Sequence, residues 1–88
     1  MLFEQQISER RERGRSAIAR ILTKPQGQPF GDYKVHSSSG KSYRVAMRGP
    51  GLFENFCSCP DFAVNTLGTC KHIEGLLERL RKRHGSAL

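Results

Sequence analysis

An α+β fold is the class this sequence predicts, and three features predict it. Two short runs alternate apolar and polar residues around a turn, an apolar stripe recurs at i, i+3, i+4 and i+7 near the C-terminus, and one run of sixteen residues holds all three cysteines. The expected order is an N-terminal helix, an antiparallel β-hairpin or three-stranded meander, and a C-terminal helix. Residues 1–24 are read as the first helix, 25–32 as a linker loop and 33–85 as the remaining domain.

The first helix is expected over residues 2–23, with Phe3, Ile7, Ile18, Ile21 and Leu22 at roughly helical spacing. Charge interrupts the stripe at Arg10, Arg11, Glu12, Arg13 and Arg15, and Gly14 costs an interior helix about 1 kcal/mol relative to Ala. One helix with a weak centre is the expectation. Its arginines are either a phosphate-facing patch or a solvated face beside Glu9 and Glu12, and the segment can also dock on the rest of a longer polypeptide. Two prolines and two glycines then make residues 24–32 a loop.

Tyr33 to Ser37 and Ser42 to Arg48 alternate, and Ser38-Ser39-Gly40-Lys41 between them supplies turn chemistry. The hairpin should bury Tyr33, Val35, Tyr43, Val45 and Met47. Arg44 and Arg48 point outward, either toward phosphate or as the charges that protect an exposed strand from edge pairing. His36 has a surface or hairpin-packing role. Gly49-Pro50-Gly51 turns the chain, and Leu52 to Cys57 can return as a third strand.

The run Cys57-Ser58-Cys59-Pro60-Asp61-Phe62 through Cys70-Lys71-His72 reads Cys-x-Cys, a spacer of ten, then Cys-x-His. Three soft sulfurs and one imidazole complete a tetrahedral zinc set and leave no position open for substrate. Residues two apart on a strand share a side, so Cys57 and Cys59 form one jaw as they leave the strand end. Positions 70 and 72 diverge by about 200° on a regular helix, so Cys70 belongs at the cap and His72 in the first turn. The unpaired N–H groups there favour the Cys70 thiolate. An iron–sulfur or redox site would use the same sulfurs, but the Cys/His mixture favours zinc. Asp61 is either a partner that orients the ligating imidazole or a cap of the short turn opened by Pro60. Phe62, Val64 and Leu67 are expected to pack beside the metal.

Past Thr69, Ile73, Leu76, Leu77 and Leu80 define one apolar helix face, with His84 on the same face. Arg79, Lys82 and Arg83 fall on one flank, Glu74 and Glu78 on the other. Gly85 ends the helix.

The cysteine run and the following Leu67-Gly68-Thr69-Cys70-Lys71-His72-Ile73 resemble the SWIM zinc finger, whose pattern is Cys-x-Cys, a variable spacer and Cys-x-His. The resemblance spans roughly residues 33–80 and is close to the SWIM modules at one end of bacterial Swi/Snf-type helicases; the module also recurs in MuDR-type transposases and some eukaryotic regulators. It implies a small β-hairpin plus helix with one zinc held by Cys57, Cys59, Cys70 and His72, and a role in DNA binding or protein–protein contact.

The remaining bounds agree. A chain of 88 residues makes one domain, of a size that commonly recruits a metal or disulfide. Three cysteines cannot all pair, and no signal peptide or membrane span is visible, so a reducing, cytoplasmic setting is expected. The net charge of +7 falls by only one when a zinc ion binds three thiolates. Such an excess argues for affinity to polyanions, chiefly nucleic acid.

Two functions are therefore carried forward for an expected monomer. In the first, the chain binds DNA or RNA through phosphate contacts, with Arg79, Lys82 and Arg83, joined by Lys71, as the main patch and Arg44 and Arg48 as a second; a solvated helix end favoured by the macrodipole is the bland account of the first group. In that role it would serve a helicase motor domain on the same polypeptide. In the second, it is a contact module for a protein partner or for neighbouring domains. Catalysis is not expected, because a four-ligand cage removes the freedom a Cys70–His72 nucleophile needs, and no paired carboxylates or phosphate loop exist.

Overall fold

The structure, a computed structural model, describes residues 2–85. The chain runs α1 (Phe3–Ala17), β1 (Ile18–Thr23), β2 (Gly31–Ser37), β3 (Ser42–Met47), β4 (Phe56–Cys57), α2 (Pro60–Val64) and α3 (Lys71–His84). The strands form one antiparallel sheet in the order β1-β2-β3-β4. This is the α+β class, with the meander extended by one strand at its β2 edge.

Alternation decides which face of the sheet is covered. Tyr33, Val35 and Ser37 of β2 and Val45 and Met47 of β3 are buried, while Lys34 and Arg44 between them are exposed. On the buried face lie Ile73, Leu76, Leu77 and Leu80 of α3, in one cluster with Cys57, Cys59 and Cys70. The core and the cysteine cage are therefore continuous.

The first helix is shorter than the sequence suggests. It stops at Ala17, and Ile18–Thr23 is a strand, not the helix expected through residue 23. The Ala17 carbonyl, which a continuing helix would offer to the N–H of residue 21, instead accepts from Ser38 N at 2.8 Å and from Ser37 Oγ at 3.3 Å. Ile18, Ile21 and Thr23 are β-branched and suit the pairing they adopt with β2. The buried stripe of α1 is Ile7, Gly14 and Ala17, whereas Phe3 is 45% exposed.

Gly14 is not a weak centre but the point where α1 crosses α3. A Cβ there would lie 2.7 Å from both Gly75 N and Lys71 O, and a Cβ on Gly75 would lie 2.5 Å from the Gly14 carbonyl oxygen. Only glycine on both helices lets the backbones meet. Beside the crossing, Arg11 Nε donates to Glu74 Oε1 at 3.1 Å and Thr69 Oγ1 donates to Glu74 Oε2 at 2.6 Å. Glu74, on the flank opposite Arg79, is buried by α1 and keeps both carboxylate oxygens bonded.

The third strand, expected from Leu52 to Cys57, is only Phe56–Cys57, and the turn at Gly49-Pro50-Gly51 runs on as a loop through residue 55. Buried Asn55 staples it, accepting from Arg48 N at 2.6 Å and Gly49 N at 3.1 Å and donating to the Gly49 carbonyl at 2.9 Å. Phe53 takes a left-handed φ of 65° and stays exposed, with its ring edge where a Gly68 side chain would be. No helix among the described residues is long and apolar enough to cross a membrane.

Candidate metal centre

Two jaws close on one point. Cys57 is the last residue of β4 and Cys59 caps the short helix α2, whose first residue is Pro60. Cys70 caps α3 and His72 occupies its first turn, as the two-residue spacing demands. All four side chains are buried, and their ligand atoms lie within 4.8 Å of one another.

The donor set fits zinc. Ligand distances of about 2.0–2.3 Å around a tetrahedral ion correspond to edges of about 3.3–3.8 Å. Cys57 Sγ lies 3.8 Å and Cys70 Sγ 4.0 Å from His72 Nδ1, close to those edges. None of the three cysteines is in a disulfide.

The tautomer of His72 follows from what its other nitrogen touches. Nε2 is 3.0 Å from Ser37 Oγ, and the single Ser37 hydroxyl proton is committed to the Ala17 carbonyl. Ser37 therefore accepts, His72 carries its proton on Nε2, and the Nδ1 lone pair is left facing the sulfurs. Ser39 N at 3.4 Å and Ser39 Oγ at 3.2 Å share the remaining lone pair of Ser37 Oγ. The Tyr43 ring, with its centroid 5.0 Å away, covers the imidazole.

Asp61 does not take the orienting role weighed for it in the sequence. Its carboxylate accepts from Arg10 Nε at 3.0 Å and Nη2 at 2.9 Å, a two-point pair that ties α1 to α2. The Arg10 hydrogen bonds hold the Asp61 carboxyl below the usual carboxylate range. Of the residues expected to pack beside the metal, Leu67 is buried and Phe62 half-buried, but Val64 is 80% exposed. Ser37 carries no signal in the sequence, because its partner lies 35 residues away.

Three thiols this close do not ionise together without a cation. Hydrogen bonds from Cys57 and then Cys70 hold Cys59 as thiolate well below the ordinary thiol range. Cys57 is pushed up to about 12, first by its bond to Cys59, and Cys70 is pushed up by its bonds to Cys57 and Cys59. A divalent cation supplies the charge that lets all three act as ligands, and its binding releases protons.

The cationic residues singled out in the sequence are dispersed. Arg79, Lys82 and Arg83 line one groove at the C-terminal half of α3, whereas Lys71 is eight residues from Arg79 at the other end of the helix, about 12 Å along its axis. Arg79 Nη2 also donates to the Ile18 carbonyl at 3.0 Å, and Lys82 Nζ is 3.7 Å from Glu78 Oε1. Arg44 is on the open face of the sheet. Arg48, just past β3, donates to Asp32 at 2.8 Å.

Residues 43–81 match the family model of the SWIM zinc finger, a span that contains all four ligands. No curated protein and no solved structure matches the chain.

Proposed function

Residues 43–81 are a SWIM zinc finger that holds one zinc ion, and from that premise we propose that the chain is a non-catalytic module that binds nucleic acid, DNA foremost. The observation that carries this reading is the groove of ≈ 1210 Å³ between α3, β1 and the β1–β2 loop. Leu76 and Leu80 contribute to its apolar surface, and Lys24, Arg79, Lys82 and Arg83 bring four cations to it. No carboxylate is among the described residues that line it. A cationic concavity of this kind concentrates polyanions at its mouth.

Zinc here is structural. It supplies the cross-link that joins β4 to α3, and the four protein ligands leave no position for a reacting water. Resemblance to the SWIM modules of bacterial Swi/Snf-type helicases supports an accessory role in a helicase-like protein, with a motor domain on the same polypeptide as one partner. Three unpaired thiols support a reducing, cytoplasmic setting.

A second reading has its own observation. The Asn55-stapled loop displays Leu52 and Phe53, the latter 69% exposed, as a protein partner or adjoining domain would require.

Titration of duplex DNA binding against salt separates the two. Phosphate binding predicts a linear fall of log Kobs with log salt, with each contact contributing about 0.9 to the slope. The paired substitutions Lys82→Ala and Arg83→Ala should lower that slope by about 1.8. Absence of binding near physiological ionic strength, or a flat salt response, contradicts the nucleic-acid reading and leaves the protein-contact one.

A further inference from the structure

The face of the sheet turned away from α3 carries cations that close no salt bridge among the described residues. Lys34 of β2 and Arg44 of β3 are directly opposite each other, and both are exposed. Like charges at such a cross-strand position, about 5 Å apart at Cβ, destabilise a sheet. Among the described residues neither is within salt-bridge distance of a carboxylate; Asp32, the nearest in register, is bonded by Arg48 and feels the Arg44 charge only through space. Protection of a strand edge does not account for them, because β2 and β3 are the two central strands.

The neighbouring strands extend the same surface. Arg20 of β1 is exposed and lies opposite His36, and Thr23 lies opposite Lys34. On the other side Ala46 faces Phe56 of β4, a ring left 51% exposed and braced edge-on by Phe62 at 5.4 Å. Cations thus occupy three adjacent strands, and an aromatic ring stands beside a small residue on the fourth.

We propose that this open sheet face binds single-stranded nucleic acid, with phosphates on Arg20, Lys34 and Arg44 and an unpaired base stacked on Phe56. The proposal rests on the reading of the chain as a nucleic-acid binder and adds a surface and a strandedness to it. An exposed ring beside a row of cations matches the two requirements of a single strand, a π-face for the base and positive charge for the backbone. The bases of a duplex are already stacked on one another and leave Phe56 without a partner. The polyanion also relieves the repulsion between Lys34 and Arg44.

Fluorescence anisotropy of the zinc-loaded chain with a short oligothymidylate, and with a duplex as comparison, tests the assignment. Phe56→Leu, which keeps an apolar contact for Phe62, should weaken oligothymidylate binding roughly 5- to 150-fold, the range of a lost base–aromatic stack, while duplex binding changes less than about twofold. Lys34→Ala with Arg44→Ala should lower the single-strand salt slope by about 1.4. Arg13→Ala, on the exposed side of α1, controls for net charge and should alter neither quantity comparably. Oligothymidylate affinity unchanged by all three sheet substitutions, with zinc content and circular dichroism preserved, overturns the proposal. If binding instead falls only with Lys82→Ala and Arg83→Ala, the α3 groove is the site and the broader function survives. If the parent chain binds neither probe, this proposal and the nucleic-acid reading both fail.

Discussion

Gly14 of α1 and Gly75 of α3 meet backbone against backbone, so close that a methyl group on either would enter the other helix. The crossing brings α1 against the helix that carries His72, and Arg10 and Arg11 then reach Asp61 and Glu74 on either side. A helix that looks poorly amphipathic on its own is thereby tied to the rest of the fold.

The sign of a glycine substitution follows from that contact. In a solvated helix Gly→Ala stabilises by about 1 kcal/mol. Here Gly14→Ala and Gly75→Ala should each destabilise, by about 1–3 kcal/mol, the usual cost of forcing atoms into a packed interface. Urea unfolding of zinc-loaded protein measures it, and a stabilised Gly14→Ala would show that the helices do not cross there.

Ser37→Ala removes the acceptor that fixes the His72 proton on Nε2. Zinc affinity should fall by about 10- to 100-fold, with all four ligands intact, as is typical when a ligand loses its orienting partner. Competition with a chromophoric chelator reads the change. Asp61→Asn, by contrast, should leave affinity closer to the parent value, because Asp61 is engaged by Arg10 and not by the imidazole.

The Arg48 hydrogen bond, followed by its charge, holds the Asp32 carboxyl below its ordinary range. In a carboxyl-detected NMR titration Asp32 should protonate at a pH below the usual value of about 3.9, and Arg48→Ala should return the midpoint toward it. An unchanged midpoint would mean that the pair does not form in solution.

What could be read in the sequence was whatever depended on near neighbours. The stripe Ile73, Leu76, Leu77 and Leu80 can only be a helix face, and Cys70-x-His72 beside Cys57-x-Cys59 offers one coordination set, so α3 and the ligand cluster were both legible. Ile18, Ile21 and Leu22 were read as a continuation of the helix, because three apolar residues at that spacing suit a helix as well as they suit an irregular strand. The choice was made by Ser37 and Ser38, which take the Ala17 carbonyl from twenty residues away. Gly14 looked costly because its partner, Gly75, is distant in sequence. Ser37 and the opposition of Lys34 to Arg44 needed the strand register before either had a meaning.

One zinc ion joins a strand end to a helix start and holds the domain together. The direct test is an amide NMR spectrum of the chain, recorded with zinc quantified, before and after complete chelation. One zinc per chain is expected at the outset, with collapse of resonance dispersion across residues 52–80 when it is withdrawn. A zinc-free chain whose dispersed spectrum is unchanged would contradict it.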